Sequence, residues 1–218
     1  MEIWQLRNEA RTFADELSAV LNGTVCDGVR VLSVIDSRTD QAVIGYQIST
    51  QDLTGRGIPL SLGKKPTAYL GMAFRLEPDD TEHKHLMVRS SFVSLCADPD
   101  LDEELIHWDY EREKADDYPE AHVQIAAESA AWATISTSCG RKGDTLASLH
   151  IPVGGRRNRP SLEDIVEFVI VERIAPARDD WRTVVAAGRE RFRIKQLRAA
   201  IRRDPATARQ VLDELDSN

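Results

Sequence analysis

The chain has 218 residues, a hydrophobic fraction of 42% and a charged fraction of 29%, values that are typical of a globular protein and exclude a fibrous or disordered one. Its formal net charge of -8 argues against a protein that coats nucleic acid through its overall field, although a local basic patch can still bind phosphate. The 3 cysteines form no Cys-x-x-Cys pair, and the sequence has neither a signal peptide nor an apolar run long enough to span a bilayer, so we expect a cytoplasmic protein without membrane contact.

An amphipathic helix is predicted at the start of the chain. From Ile3 to Leu21 the apolar residues recur at steps of three and four, which places them on one side of a helix. Asn22 and Gly23 then form a natural stop, because glycine readily adopts the conformation that ends a helix.

The middle of the chain changes to the two-residue period of strands. The clearest alternation sets Leu70, Met72, Phe74 and Leu76 against their neighbours, which indicates a strand with one buried face. Short turns separate the segments, so we expect a curved antiparallel meander of roughly six to eight strands. The predicted strands cover residues 29–35, 42–48, 70–76, 86–96, 105–112, 121–127, 132–137 and 146–151.

Helices return in the last third of the chain. Ser161 is a predicted N-cap with Asp164 reaching back to it, a further helix follows Pro176, and Asp204-Pro205 begins a last one. The predicted fold class is therefore α+β, with the apolar face of the sheet packed on the first helix and on the helix capped by Ser161. We predict one α+β domain over residues 1–175 and a C-terminal helical segment, 176–218, packed on it.

A basic turn precedes the helix capped by Ser161. Its glycines allow close approach of the backbone, its arginines match the geometry of phosphate or carboxylate, and the helix directs its positive end to the same place. We therefore predict an anion-binding site, in a concavity between a strand carrying His150 and the helix. The predicted ligand-binding residues are Gly154, Gly155, Arg156, Arg157, Arg159 and Ser161. The alternative is a surface turn whose arginines pair with the acidic loops of the chain itself.

Three histidines are candidate catalytic residues. Strand alternation places His107, Asp109 and Glu111 on one face, and the same rule applied to the neighbouring strands brings His122 and His150 toward them. Imidazoles near a carboxylate can perform general acid–base chemistry near neutral pH. Two other interpretations stay open: the histidines are half-exposed residues bonded to their neighbours, or they hold a divalent metal. Because no spacing motif supports a metal or a cofactor, neither is predicted.

Three segments resemble a family of actinobacterial proteins. They are the stretches Tyr118–Gln124, Leu149–Arg157 and Ser161–Asp164, in the second half of the chain. No activity is established for that family, so the resemblance implies no catalytic role for any residue. It implies a bacterial cytoplasmic setting and an association with toxin–antitoxin or phage-defence loci.

Two functional hypotheses follow. The first is a phosphate-directed or RNA-directed protein, ribonuclease-like or phosphodiesterase-like, in which the histidines exchange protons and Arg156 and Arg157 hold the phosphate. The second is a non-enzymatic binding or scaffold protein, as a monomer or a homo-oligomer, whose Gly-Gly-Arg-Arg turn recognises an acidic protein partner. A basic stretch at 189–203 has a similar pair of interpretations, as a nucleic-acid face or as a solvated helix surface.

Overall fold

The structure is a computed structural model that describes residues 1–79, 84–113, 118–140, 145–154 and 159–217. It begins with helix α1 (Ile3–Asn22), followed by strands β1 (Val31–Asp36), β2 (Gln41–Tyr46), β3 (Ile58–Pro59), β4 (Tyr69–Pro78), β5 (Leu86–Cys96), β6 (Glu104–Glu111) and β7 (Ala121–Ile125). After these come helix α2 (Ala130–Ser138), a 3-10 turn (Leu146–Ser148), strand β8 (Ile151–Pro152) and helices α3 (Leu162–Val171), α4 (Trp181–Arg203) and α5 (Pro205–Asp216).

The strands of the described residues form one antiparallel sheet of 8 strands in the order β1-β2-β4-β5-β6-β7-β8, with β3 paired to β4. Consecutive strands are neighbours almost throughout, as expected when short turns join them. The predicted α+β fold class, with its opening helix, antiparallel meander and C-terminal helices, is confirmed.

Helices α1 and α3 pack on one face of this sheet. The predicted alternation on β4 holds: Leu70, Met72, Phe74 and Leu76 are buried, and Phe74 meets Phe13 of α1 edge-on with ring centroids 5.6 Å apart. Trp108 of β6 makes a similar contact with Phe168 of α3 at 5.7 Å. We call this side the helix-covered face, because α1 and α3 bury their apolar stripes against it. The opposite side, which carries Phe92, Asp109 and His122, is the open face.

Residues 132–137, predicted as a strand, are helical. They lie in α2, which is capped by the Ser129 hydroxyl accepting a hydrogen bond of 3.3 Å from the backbone N–H of Trp132. The N-cap bond and the helix-favouring alanines at 130, 131 and 133 outweigh the strand preference of Trp132 and Ile135. The strand prediction for this segment was wrong.

The predicted strand at 146–151 is also corrected. It consists of the 3-10 turn and then β8, in which only Ile151 and Pro152 pair with β7. The Ser148 hydroxyl donates to the Thr145 carbonyl at 2.7 Å, a local bond that competes with strand pairing, and proline supplies no backbone donor to continue the ladder. His150 therefore precedes the strand that was expected to carry it.

The C-terminal segment is attached through its first helix. Trp181 and Val185 of α4 belong to the same buried core as the sheet and α1. Arg178, just before α4, donates from Nε to the carbonyl of Asn22 at 2.7 Å and so ties the segment to the end of α1. Beyond Gly188 the described residues of α4 and α5 are not buried. None of the helices in the described parts of the chain is long and apolar enough to cross a membrane.

The cysteines differ in their access to solvent. Cys26 and Cys96 are fully buried and Cys139 is exposed. Burial raises the pKa of the Cys26 thiol to about 12, and it raises the pKa of Cys96 as well. At pH 8 a thiol of that pKa is ionised in roughly one molecule in 10⁴, so it reacts very slowly.

We therefore expect Ellman's reagent at pH 8 to label the folded chain rapidly at Cys139 alone and to label Cys26 and Cys96 only after denaturation. The absorbance of the released thiolate measures this directly. In a Cys139→Ser variant the rapid phase should vanish. Rapid labelling that survives in that variant would show that the core opens where the structure has it closed.

Candidate active site

The pairing of β6 with β7 places the polar residues of both strands on the open face. His107 lies opposite Gln124 and Asp109 lies opposite His122 in the antiparallel register. Directly paired residues share a face, so these four side chains project from the same side of the sheet. The alternation predicted for His107 and Asp109 is thus confirmed.

The three histidines come together as a row, which we call the histidine cluster: His107, His122 and His150. The ring centroids of His107 and His122 are 6.3 Å apart, and those of His122 and His150 are 4.6 Å apart. The convergence expected from strand alternation is found for all three, although His150 reaches the cluster from the segment before β8 and not from within a long strand.

His107 is held at both ring nitrogens. Its Nδ1 lies 2.6 Å from Glu104 Oε1, and its Nε2 lies 2.7 Å from Gln124 Oε1. The Gln124 amide is itself oriented, because its Nε2 donates to the Ala147 carbonyl at 2.6 Å and so turns its oxygen toward His107. With both nitrogens engaged, His107 fixes the geometry of the cluster and has no ring nitrogen directed at a substrate.

His122 lies at the centre of the cluster and is only 2% exposed. Its Nδ1 lies 3.2 Å from the Pro119 carbonyl, which can only accept, so Nδ1 carries the donated proton. Its Nε2 lies 3.7 Å from Asp109 Oδ2, a distance beyond that of a hydrogen bond.

His150 is the outer member of the cluster. Its ring stacks on Tyr118, with centroids 3.8 Å apart and an angle of 26° between the planes. Tyr118 is 48% exposed, so this stack borders solvent, whereas His122 on the other side of His150 does not. His150 itself is half-buried, and its Nδ1 is shielded from solvent.

The predicted ligand-binding residues fall into three groups. Gly154 has a φ of 88°, a left-handed conformation that favours glycine, and it follows β8. Gly155, Arg156 and Arg157 lie outside the described residues. Arg159 and Ser161 lie on the helix-covered face, away from the histidines.

The position of Arg159 has a physical cause. Its guanidinium lies 4.8 Å from the centre of the Tyr110 ring and donates to Ser91 Oγ at 3.3 Å, and both partners project from the helix-covered face. The Ser161 hydroxyl donates to Asp164 at 3.1 Å, and the Ser161 backbone N–H donates to the same carboxylate at 2.9 Å, so this residue is engaged in capping α3. The expected single concavity shared by His150, Arg159 and Ser161 is therefore not formed.

Three of the seven basic residues in the stretch at 189–203 form ion pairs within the described residues. Arg189 contacts Asp164 and Glu167 of α3, and Lys195 Nζ lies 2.7 Å from Glu16 of α1. Through these ion pairs, Arg189 and Lys195 contact α3 and α1.

Two residues of the site escaped the sequence interpretation. Glu104 reaches His107 because a bulge between Leu95 and Cys96 shifts the register at the start of β6, and strand alternation carries no signal for a bulge. Tyr118 was noted only as part of a motif, and its stacking depends on a turn between strands that periodicity does not describe.

The described residues contain no group of three or more His, Cys, Asp or Glu side chains with the geometry of a metal site. What they bring together is a row of imidazoles with a carboxylate behind it and an aromatic ring at its solvent edge. No protein-family model, curated protein or solved structure shows significant similarity to the chain.

Proposed function

We propose that the protein cleaves a phosphodiester, in RNA or a related phosphate ester, by acid–base catalysis on the open face of the sheet. One row of contacts carries this proposal: Tyr118 stacks on His150, His150 lies 4.6 Å from His122, and His122 lies 3.7 Å from Asp109. The row places a half-buried imidazole beside an exposed aromatic ring and near a carboxylate, an arrangement that suits general acid–base catalysis.

In this mechanism His150 is the catalytic residue. It takes the proton of the attacking hydroxyl as oxygen bonds to phosphorus, and the bond to the leaving oxygen breaks. The protonated imidazole then returns the proton to the leaving oxygen. His122 is a positioning residue, since it is buried and touches His150 from behind. Asp109, next to His122, offsets the positive charge that His150 gains.

Arg156 and Arg157 are the proposed phosphate ligands. They follow Gly154 by two and three residues in the sequence, and Gly154 follows the strand that pairs with His122 and Val123. Guanidinium groups suit phosphate because they offer paired donors in a planar fork. This assignment rests on their chemistry and their position in the chain.

The proposal is tested by incubating the full chain with total RNA and, separately, with bis(p-nitrophenyl) phosphate between pH 5 and pH 8, with and without EDTA. We expect at least one of the two substrates to be cleaved. The cleavage should continue in EDTA, because an imidazole performs the proton transfers. A folded protein that cleaves neither substrate under any of these conditions would contradict the enzymatic proposal.

A second function is favoured by the firm anchoring of two histidines. Both ring nitrogens of His107 are bonded and His122 is almost wholly buried, as in a cluster that supports a binding surface. In that case the Gly-Gly-Arg-Arg turn captures an acidic protein partner. Replacing Arg156 and Arg157 together by alanine would then abolish capture, whereas His122→Ala would leave it intact. The association with bacterial defence loci stays a prediction under either function.

A further inference from the structure

A cavity of about 80 Å³ lies on the helix-covered face of the sheet, on the opposite side from the histidine cluster. Strands β5 and β6 form its floor, and helices α1, α3 and α4 enclose it. Most of its wall is apolar, and the residues that matter to the argument are Val93, Trp108, Tyr110, Leu162, Ile165 and Phe192. Apolar walls of this kind favour a ligand with a hydrocarbon part.

Among the described residues, three cations line this space, Arg159, Arg191 and Lys195, together with the carboxylates Glu16 and Glu163, and of the three cations only Arg159 is not exposed. Arg159 lines the cavity, with its guanidinium over the Tyr110 ring at 4.8 Å and 5.8 Å from the centre of the Phe192 ring. Its hydrogen bond in the structure is the one to Ser91 Oγ. Among the residues that the structure describes, no carboxylate forms an ion pair with Arg159.

Of the other cations near the cavity, Arg191 is exposed on α4, whereas Arg189 and Lys195 have counter-charges. Arg189 pairs with Asp164 and Glu167, and Lys195 pairs with Glu16. Arg159 instead lies near a second cation, Arg112, whose buried Nε makes no hydrogen bond within the described residues. Burial lowers the pKa of Arg159, and the charge of Arg112 lowers it further. A partly buried cation without a counter-charge is costly, and an anion bound beside it removes that cost.

We propose that this cavity binds a small organic anion, a carboxylate with a short hydrocarbon chain, whose carboxylate meets Arg159 and whose chain lies among Val93, Trp108 and Leu162. The guanidinium offers two parallel donors to a carboxylate, and Ser91 adds a hydroxyl beside it. The size of the cavity selects for a small molecule, since pockets for drug-sized ligands begin at about 300 Å³. This site does not depend on the proposed phosphodiesterase activity.

Hexanoate is a suitable probe, with 1-hexanol as its uncharged counterpart. We expect isothermal titration calorimetry at pH 7 to show one hexanoate bound per chain, and hexanol to bind at least about tenfold more weakly because it lacks the charged contact. In methyl NMR spectra of the unmodified protein, hexanoate should shift the signals of Val93, Leu162 and Ile165. Equal binding of both probes, or no binding of hexanoate up to its solubility, would overturn the proposal.

Variants distinguish the contribution of the Arg159 charge to hexanoate binding from that of the cavity walls. Arg159→Met keeps an unbranched side chain without the charge and should weaken hexanoate binding at least about tenfold, and Arg159→Lys should give an intermediate affinity. Arg198→Met is the matched control, because Arg198 is exposed on α4 and does not line the cavity, and the hexanoate affinity of this variant should stay close to that of the parent. Folded Arg159→Met protein that binds hexanoate as tightly as Arg198→Met would exclude Arg159 as the anion ligand. If Arg159→Met does not fold, the methyl shifts and the comparison with hexanol decide the question.

Discussion

Replacing His150 by alanine is expected to lower phosphodiester cleavage by about 10²–10⁴-fold, the range typical for the loss of a general acid–base group. His150 is the member of the histidine cluster that borders solvent through its stack on Tyr118. His122 cannot replace it, because His122 is 2% exposed and its Nδ1 is occupied by the Pro119 carbonyl. The measurement is the initial rate on whichever substrate the unmodified chain cleaves, at its optimum pH.

A control for this experiment is His85→Ala. His85 immediately precedes β5 and is not part of the cluster, so its removal should leave the rate within about twofold of the parent rate, as expected for a residue outside the site. Thermal unfolding of both variants shows whether the folded state is retained. A folded His150→Ala protein with the activity of His85→Ala would assign the cluster a structural role and favour the binding function.

Strand and helix periodicity predicted most of this fold because one face of the sheet is buried. The alternation of Leu70, Met72 and Phe74 is a direct consequence of packing against α1, and the spacing of Leu6, Ala10 and Ala14 on α1 has the same cause. Segment 132–137 lacks such a buried face, since α2 is mostly exposed. The secondary structure of this segment therefore depends on the local N-cap at Ser129, which hydrophobic periodicity does not indicate.

The positions of the site residues that depend on strand alternation could be predicted from the sequence. The positions that depend on tertiary packing could not. The side on which His107 and Asp109 lie depends on alternation alone, and pairing with the next strand adds His122. Arg159 was assigned to the anion-binding site between His150 and the helix because it belongs to the basic turn that joins them in sequence. Its side chain instead packs against Tyr110 and Phe192, and the latter is more than thirty residues further along the chain. Proximity in sequence carries no information about which face of a sheet a residue reaches.

The second large effect is expected at the junction of the C-terminal segment with the sheet. Trp181 is 6% exposed at the start of α4, and the Arg182 guanidinium covers its ring at 4.4 Å. Val185, one turn later, is 2% exposed and belongs to the same core as α1 and β4. The start of the segment predicted at 176–218 thus shares its apolar contacts with the remainder of the chain.

Trp181→Ala should therefore lower the free energy of unfolding by about 3–5 kcal/mol, through lost transfer energy and the cavity left behind. Leu212→Ala is the matched control within the same segment: Leu212 lies on α5, where it is 60% exposed, and its loss should change stability by no more than about 0.5 kcal/mol. Urea unfolding followed by fluorescence and circular dichroism gives both values, provided that the slope with denaturant stays constant.

Truncation after residue 203 should resemble Leu212→Ala, and truncation after residue 175 should prevent folding, because it removes both Trp181 and Val185 from the core. If truncation after residue 175 left a cooperatively folded protein, the helix that begins at Trp181 would be an appendage and the core would be complete without it.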